Sequence, residues 1–463
     1  MPPSNSLHAA DRAHFVHQQT DLDAFDRDGA ILIERGEGCR VWDTEGREYI
    51  EAMAGLWCAS LGFSEKRLAD AAYRQLQTLP YYHTFFQKGH EPAVRLAEKL
   101  TAMAPNGLGH AMFQCSGSEA NDAAIKVIWY FNNLVGRPEK KKLIGRIRGY
   151  HGNTVATASL SGQPHMQADF DLPLGDRFLH IANPNYYRAQ LPGETEEAFS
   201  ARMAAELEAL IAREGGHTIA AMFCEPVQGG GGAITPPRGY FEAIQPILKK
   251  HDILLVADEV ICGFGRTGAL WGSETYNMQP DLLVCAKQLT AAYQPLSALL
   301  ISDRIHEALV AGSRKNGSWG HGYTYGGHPV ACAVALETLA IYEERDILGH
   351  VRDVAPVFLN GLGKFRDHPL VGDIRGIGLI AGVELVADKP TREPFPASAK
   401  VGLLVQQKCE EAALIVRAIG DRIAFTPPLV ITETELVDMC SRFGRGLDAA
   451  WAALQAQKRL AAE

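Results

Sequence analysis

Asp258 and Lys287 are the two residues whose types and spacing point most directly to chemistry. Each one follows a short apolar run, residues 253–257 for the aspartate and residues 282–286 for the lysine. Continuous apolar runs of this length predict parallel strands that are buried on both faces. The carboxyl ends of such strands border the ligand crevice of an open α/β sheet. We therefore expect an acid and an amine to face the same crevice.

This pair has the composition of a pyridoxal-phosphate site. A desolvated amine can form a Schiff base with a carbonyl group, and a carboxylate can hold the protonated nitrogen of a pyridine ring. A free lysine has a pKa of about 10.4, so such a site must favour the neutral amine. Taken alone, each residue is more often a solvated strand end, and the interpretation depends on further elements around the pair.

One further element is the turn Gln114-Cys-Ser-Gly-Ser-Glu-Ala-Asn121, between the apolar run 111–113 and a predicted helix. The free amides at the start of a helix, approached through small residues, form an anion site. Gly117 and Ser118 are the predicted phosphate contacts. The alternative is a plain helix cap, in which Ser116 or Ser118 caps the helix and Glu119 complements its dipole.

Three other positions could complete the site. Tyr150, in Gly149-Tyr-His-Gly152, could stack on a planar ring, although packing on the core would explain it equally well. Glu225 follows the apolar run 219–223 and adds a second carboxylate, and Thr324 lies in a loop rich in glycine and hydroxyl groups. The sequence has no His/Asp/Glu cluster with metal-ligand spacing, so we expect no metal site.

The composition excludes several classes of function. The net charge of -9 disfavours nucleic acid and anionic membrane surfaces as partners. Nine scattered cysteines without a Cys-x-x-Cys pair indicate reduced thiols rather than disulfides or zinc ligands. We see neither a signal peptide nor an apolar run of 18 residues. A cytoplasmic enzyme is therefore expected.

The predicted architecture is α/β. A chain of 463 residues exceeds the usual size of a single hydrophobic core, and from about residue 65 to residue 330 helices alternate with short apolar runs. Helices are predicted at residues 91–104, 120–134, 194–214, 240–251 and 330–344, and short antiparallel strands at 30–33, 40–42 and 48–50. Predicted domains are an N-terminal arm with part of a small domain (1–65), a large cofactor-binding domain (66–329) and a C-terminal small domain (330–463).

Two segments carry a family resemblance: Leu255-Val-Ala-Asp-Glu-Val-Ile-Cys-Gly-Phe-Gly-Arg-Thr-Gly268 and Ala286-Lys-Gln-Leu-Thr-Ala-Ala-Tyr-Gln-Pro295. They resemble the class III pyridoxal-phosphate aminotransferases, and among these the ω-transaminases that pass amino groups from amines or ω-amino acids to pyruvate. The resemblance extends over about residues 36–430. It implies pyridoxal 5'-phosphate as cofactor and a ping-pong cycle between its pyridoxal and pyridoxamine forms. It also implies a fold type I homodimer, or a tetramer, with active sites at the subunit interface: a large domain with a central, mostly parallel sheet plus a small α+β domain.

The same resemblance implies a role for individual residues. Lys287 matches the Schiff-base lysine, and Asp258 matches the partner of the pyridine nitrogen. The other implied cofactor contacts are Gly117, Ser118, Tyr150, Glu225, Val260 and Thr324, the last from the neighbouring subunit. The implied substrate contacts are Trp57, Phe85, Phe86, Tyr150 and Arg417; Arg417 would bind a carboxylate, and the two phenylalanines would come from the neighbouring subunit.

Two positions depart from the family pattern. Gln288 stands where relatives most often have glycine, and we expect an altered backbone or hydrogen bond there without loss of chemistry. Asn153 stands where many relatives have a small apolar residue, which leaves substrate preference open. A pyridoxal-phosphate-dependent aminomutase or amino-acid decarboxylase would share Lys287 and Asp258 and is an alternative. A non-catalytic protein that kept the fold is another.

Overall fold

The computed structural model describes residues 6–105 and 107–460, with side chains up to residue 457. Its strands are β1 (Ile33–Glu37), β2 (Arg40–Asp43), β3 (Glu48–Glu51), β4 (His110–Gln114), β5 (Lys142–Arg146), β6 (Phe178–Ile181), β7 (Ile219–Cys224), β8 (Leu254–Asp258), β9 (Leu282–Cys285), β10 (Ser297–Ile301), β11 (Val371–Ile377), β12 (Ile380–Leu385), β13 (Leu414–Ile415), β14 (Arg417–Ala418) and β15 (Arg422–Phe425).

The helices are α1 (Leu7–His14), α2 (Leu22–Asp28), α3 (Ala54–Trp57), α4 (Lys66–Thr78), α5 (Glu91–Met103), α6 (Gly117–Leu134), α7 (Val155–Leu160), α8 (Tyr186–Ala189), α9 (Glu196–Glu214), α10 (Tyr240–Lys250), α11 (Gly272–Thr275), α12 (Asp303–Asn316), α13 (Pro329–Glu344), α14 (Ile347–Gly363), α15 (Val401–Glu411) and α16 (Glu433–Leu460). Short 3-10 helices lie at Pro164–Met166, Gly175–Arg177, Gly216–Thr218, Lys287–Thr290 and Ala397–Ala399. The five helices predicted from the sequence are all present, with ends shifted by up to three residues.

A seven-stranded sheet in the order β4-β10-β9-β8-β7-β5-β6 brings the two predicted strand ends together. β8 and β9 are parallel neighbours, and Asp258 pairs with Val284 across them. The apolar side chains of both strands are buried, as expected for a sheet covered by helices on both faces. The sequence analysis did not predict β10, which runs antiparallel to both β4 and β9. The sheet is therefore mostly, not wholly, parallel.

A second sheet, in the order β1-β2-β3-β13, joins the two ends of the chain. β1, β2 and β3 are antiparallel, as predicted, and β13 adds in parallel through the pairing of Leu414 with Ile50. The prediction for the first strand was wrong in position, since residues 30–32 precede β1. The turn at Gly38, with a φ of 55°, sets the register of the hairpin formed by β1 and β2. The position of β1 therefore depends on this turn and not on the apolar run 30–33.

A third, antiparallel sheet has the order β11-β12-β15-β14 and carries Arg417. Many of its buried residues belong to an apolar cluster that also includes residues of the other two sheets; the cluster contains Ile50, Leu255 and Val383. Because one continuous core links the three sheets, the predicted domain boundaries stay a prediction. Within the described chain, no helix is long and apolar enough to span a membrane.

Candidate active site

Asp258 ends β8 and is 3% exposed. Its Oδ2 accepts a hydrogen bond from the Asn121 side-chain amide at 2.8 Å and lies 2.8 Å from His151 Nδ1. Its Oδ1 accepts from the Val260 backbone N–H at 3.2 Å. Three groups from three different elements thus fix the position of this carboxylate.

Lys287 follows β9 by two residues and begins a short 3-10 helix. Its φ is 51°, a left-handed backbone conformation that is costly for a residue with a side chain and that concentrates at functional sites. Burial lowers the pKa of the Lys287 ammonium, while Cys58, Asp258 and Glu225 act in the opposite direction. Among the described residues its amine has no hydrogen-bond partner. The structure therefore presents a desolvated, uncommitted amine beside the aspartate.

The turn before α6 matches both interpretations of its sequence. Ser116 caps the helix by accepting from the Glu119 N–H at 3.1 Å, and the Glu119 side chain accepts from the Ser116 N–H in return. The backbone amides of Gly117 and Ser118 have no backbone partner within the described residues. These are the free first-turn donors that can hold an anion. A capped helix and an anion site are thus compatible here.

Val260 packs on the same turn, because a Cβ added to Gly117 would lie 3.0 Å from both of its methyl groups. A Cβ added to Gly152 would lie 2.7 Å from the Ser118 backbone. The Ser118 hydroxyl accepts from the Asn153 N–H at 3.1 Å, and the Asn153 residue is exposed. Gly117 therefore lets the turn before α6 approach Val260, which follows β8. Gly152 lets the turn after β5 approach Ser118.

Tyr150 and Glu225 are joined by a hydrogen bond. The Tyr150 backbone N–H donates to Glu225 Oε1 at 3.1 Å, and the Gly229 N–H donates to Glu225 Oε2 at 3.1 Å. Burial raises the pKa of Glu225 to about 7, against the lowering effects of His151 and Arg146. Burial also raises the pKa of the Tyr150 phenol, and the nearby Arg417 guanidinium lowers it.

Arg417 and Trp57 complete the group around the lysine. Arg417 in β14 is partly buried and has no hydrogen-bonded partner among the described residues, and burial lowers its pKa. Its charge also lowers the pKa of Lys287. Trp57 is 2% exposed, and a Cβ added to Gly229 would lie 3.6 Å from its indole ring.

Phe85, Phe86 and Thr324 form a separate group. A Cβ added to Gly322 would lie 2.7 Å from the Phe85 ring, and the Tyr81 hydroxyl donates to the Thr324 carbonyl at 2.8 Å. Phe86 is 84% exposed and Thr324 is also exposed. Within the described residues, neither hydrogen bonds nor aromatic contacts join this group to Asp258 or Lys287. One chain therefore brings the other predicted residues together and leaves Phe86 and Thr324 exposed, with Phe85 partly buried beside them.

Gln288 directly follows Lys287 and joins it to another loop of the site. Its side chain is fully buried, and its amide donates to the carbonyls of Ile261 at 2.6 Å and Gly263 at 3.3 Å. The residue after Lys287 thus ties the lysine segment to the loop that follows β8. The expectation that this hydrogen bond differs from that of relatives stays a prediction.

The sequence analysis missed two residues that position Asp258. Asn121 lies at the end of the segment Gln114–Asn121, and its amide also donates to the His151 carbonyl at 2.9 Å. His151 directly follows Tyr150 and is buried. Ser118 and Asn121 are three residues apart on one helix, a spacing that places their side chains on the same face. This spacing could have indicated that Asn121 also faces the site. Within the described part of the chain, no three His, Cys, Asp or Glu side chains are grouped as metal ligands would be.

Comparisons with known proteins agree with this geometry. A family model described as "Aminotransferase class-III" matches residues 24–447. The gamma-aminobutyrate transaminase 1 of Oryza sativa subsp. indica, described as mitochondrial, is 48% identical over 420 residues, which cover 90% of this chain and 81% of the relative. The vanillin aminotransferase of Capsicum frutescens is 46% identical over 418 residues, covering 90% and 91%. The omega transaminase of Pseudomonas jessenii, solved in complex with PMP, superimposes with a TM-score of 0.95 at 50% identity, covering 96% of this chain and 98% of that chain.

Proposed function

The chain belongs to the class-III aminotransferases, and from this membership we propose that it transfers an amino group from an amine or ω-amino acid to pyruvate in a ping-pong cycle. It is a pyridoxal-phosphate-dependent aminotransferase of fold type I. The identities of the amino donor and of the acceptor, and the order of the two half-reactions, are proposals. A fixed carboxylate, Asp258, and an uncommitted amine, Lys287, at adjacent strand ends support the pyridoxal-phosphate chemistry, and the unpartnered Arg417 supports a keto-acid acceptor.

The residues present fit pyridoxal 5'-phosphate. The free amides of Gly117 and Ser118 suit a phosphate, and the tight packing at Gly117 and Gly152 leaves no room for side chains beside them. Asp258 suits a protonated pyridine nitrogen. When bound, the cofactor supplies an aldehyde carbon for the amino group and a ring that accepts an electron pair.

The protein's own residues supply position, charge and proton transfer. Asn121, His151 and the Val260 amide hold the Asp258 carboxyl group in place, and from there it would pair with a protonated pyridine nitrogen. Because burial lowers its pKa, Lys287 can be neutral and accept a proton from a substrate carbon close to Nζ. Tyr150 and Val260, on neighbouring turns, are proposed to hold the two faces of the ring.

Arg417 is the proposed carboxylate-binding residue. It is partly buried, it is close to Tyr150 and Lys287, and its donors have no partner among the described residues. A guanidinium binds a carboxylate through two parallel hydrogen bonds. A keto acid would therefore pair with Arg417, whereas a donor without a carboxylate would contact the apolar walls, including Trp57.

Replacing Arg417 by glutamine is expected to raise the KM for pyruvate by about 10- to 100-fold, because a charged hydrogen-bonding pair contributes roughly 1.5–3 kcal/mol. The rate of the first half-reaction with 1-phenylethylamine, which has no carboxylate, should change by less than about threefold. Steady-state and single-turnover kinetics give the two values. Arg314→Gln, at an exposed position in α12, is the matched control for loss of one positive charge. An equal effect of Arg417→Gln on both substrates would contradict the assigned role.

The substrate proposal is tested with a panel of donors against pyruvate. The panel should include 4-aminobutyrate, β-alanine, 1-phenylethylamine and vanillylamine, because the relatives are described as acting on aminobutyrate and on vanillin. We expect one alanine formed for each donor consumed, without release of carbon dioxide. Carbon dioxide release would favour the decarboxylase alternative. If no donor transfers its amino group to pyruvate but one does so to another keto acid, pyruvate is the wrong acceptor.

We propose that the active enzyme is a homodimer in which each subunit completes its partner's site. Support comes from the exposed Phe86 and Thr324, which take no part in their own subunit's Lys287 site within the described residues. Large exposed apolar groups on one surface mark association sites. Tyr73, Leu76 and Tyr325 are also exposed and apolar.

A complementation experiment tests this arrangement. Lys287→Ala removes the amine of one site, and Thr324→Glu places a negative charge where the partner's phosphate is proposed to lie. Each variant alone should be inactive. Co-expressed with two different tags, they should recover up to about one quarter of the wild-type activity, because half the dimers are mixed and one of their two sites is intact. Absence of recovery in purified mixed dimers would place Thr324 in its own subunit's site.

We propose the cytoplasm as the compartment of this enzyme. All nine cysteines are free, and seven of them are buried, which favours a reducing environment. Cell fractionation tests the proposal, and recovery in an oxidising compartment would contradict it.

A further inference from the structure

A second cavity, of about 1000 Å³, lies outside the Asp258–Lys287 site. Its wall is formed by Arg148, two residues after β5, and by the α8 region, β12, the loop before α15 and the first residue of β15. Five lining residues are basic (Arg148, Arg188, Arg392, Lys400 and Arg422), and two are acidic. The cavity therefore carries an excess of positive charge, in a protein whose net charge is -9.

Part of this basic group is structural. Glu384 is 1% exposed, with Arg188 Nε at 2.8 Å from Oε1 and Arg375 at 2.9 Å from Oε2. Arg188 also donates to the Leu385 and Arg392 carbonyls, and Arg375 donates to the Gly232 and Ala233 carbonyls. Arg188 is thus hydrogen-bonded to Glu384 and to two carbonyls, and Arg375 forms an ion pair with Glu384 and donates to two carbonyls, so both guanidinium groups hold the fold.

Arg148 and Arg422 are not committed in this way. Arg422 Nε is buried and has no hydrogen-bond partner among the described residues, and its nearest carboxylate oxygen, on Glu384, is 3.8 Å away. Arg148 is partly buried and also makes no side-chain hydrogen bond to a described residue. Burial and the charges of Arg188 and Arg375 lower the pKa of Arg148, opposed by Glu384. Two arginines with free donors therefore face one cavity in an environment that is already positive.

The rest of the lining limits the kind of molecule that fits. Leu191, Phe395 and Leu403 supply apolar surface next to the arginines. A cavity of this volume admits a molecule larger than an inorganic ion. We propose that it binds an organic anion with at least two negative charges, whose charged groups pair with Arg148 and Arg422 and whose body contacts the apolar wall. Paired donors of this type bind carboxylate or phosphate oxygens.

The cavity is connected to the active site through the glycine loop 229–232. A Cβ added to Gly232 would lie 2.6 Å from the Arg422 side chain, and one added to Gly231 would lie 3.4 Å from Arg148 Cβ. On the other side of this loop, a Cβ added to Gly230 would lie 2.9 Å from Tyr150 Cβ. An anion held by the two arginines would therefore fix the loop that packs behind the ring-stacking tyrosine.

The experiment uses cofactor-saturated enzyme at low ionic strength, with citrate and ADP as probes and sodium chloride at matched ionic strength as the control. We expect a saturable rise in Tm with at least one probe and a Kd below about 1 mM. Arg148→Gln and Arg422→Gln should each weaken binding at least about tenfold, and Lys400→Gln, at the exposed rim, should weaken it less. A response to citrate alone identifies carboxylates as the bound groups, and a response to ADP alone identifies phosphates.

Three results would overturn the proposal. The first is a Tm response that sodium chloride reproduces. The second is an unchanged response in the double variant Arg148→Gln/Arg422→Gln. The third is a marked loss of stability of Arg422→Gln without any anion, because it would make Arg422 a structural partner of Glu384. Since Arg188 and Arg375 already pair with Glu384, we expect that variant to fold with unchanged or higher Tm.

Discussion

Replacing Lys287 by alanine is expected to lower kcat/KM by about 10⁴-fold or more, the largest effect of any single substitution in this chain. The residue is proposed both to bond the cofactor and to move the substrate proton. Lys140, a buried lysine elsewhere in the chain, is not available to replace it, because its amine donates to the carbonyls of Ile219, His251 and Asp252. Initial rates of alanine formation measure the loss.

The loss should not result from unfolding. Burial lowers the pKa of the Lys287 ammonium, so below the unfolded pKa, near 10.5, its desolvation disfavours the charged form and reduces stability. Removing the amine removes that cost, and the cofactor-free variant should have an equal or higher Tm. Wild-type rates in a folded Lys287→Ala enzyme would exclude the lysine from the mechanism.

Asp258→Asn is expected to lower kcat/KM by about 10³-fold, the second largest effect. An amide cannot keep a pyridine nitrogen protonated, because it carries no negative charge. In the wild-type protein, Asn121, His151 and the Val260 N–H all contact carboxylate oxygens of Asp258. In the variant, the NH₂ group of the new amide would replace one of these oxygens and would face one of those groups. Steady-state kinetics at saturating cofactor, with a visible absorption spectrum, measure the effect.

Glu259→Gln is the matched control, because the next residue along the chain is also a buried carboxyl group. Its oxygens accept from the backbone amides of Gly272 at 2.9 Å and Ser273 at 2.6 Å, and burial raises its pKa to about 7. This carboxyl holds a turn and does not face Lys287, so the substitution should cost about 1–3 kcal/mol of unfolding free energy and leave kcat/KM within about tenfold. Similar kinetic losses in both variants would contradict a specific role for Asp258.

The sequence predicted the strand ends of the site because burial on both faces leaves a continuous apolar run that stops at a charge. The runs before Asp258, Lys287 and Glu225 all correspond to strands in the structure. Helix periodicity likewise predicted α5, α6, α9, α10 and α13. These are local signals, carried by consecutive residues, and they need no knowledge of the tertiary packing.

The parts that could not be predicted depend on contacts between distant residues. His151 and Asn121 reach Asp258 from 107 and 137 residues away, and no local pattern distinguishes either from an ordinary buried polar residue. β10 is as apolar as the parallel strands of the same sheet, so its antiparallel direction follows from connectivity and not from composition. The proposed role of Phe86 and Thr324 in a neighbouring subunit came only from the family resemblance, because no local pattern in a sequence marks a residue that acts in another chain.

The most direct test of the central claim is to locate the lysine that carries the cofactor. The holoenzyme is reduced with borohydride, digested and analysed by mass spectrometry. We expect the added mass of the reduced cofactor on the peptide that contains Lys287, at close to one per subunit. Lys140 is the internal control, since burial lowers its pKa to about 8 while its amine is fully hydrogen-bonded. Cofactor found on Lys140 or any other lysine, with Lys287 unmodified, would contradict the proposed mechanism.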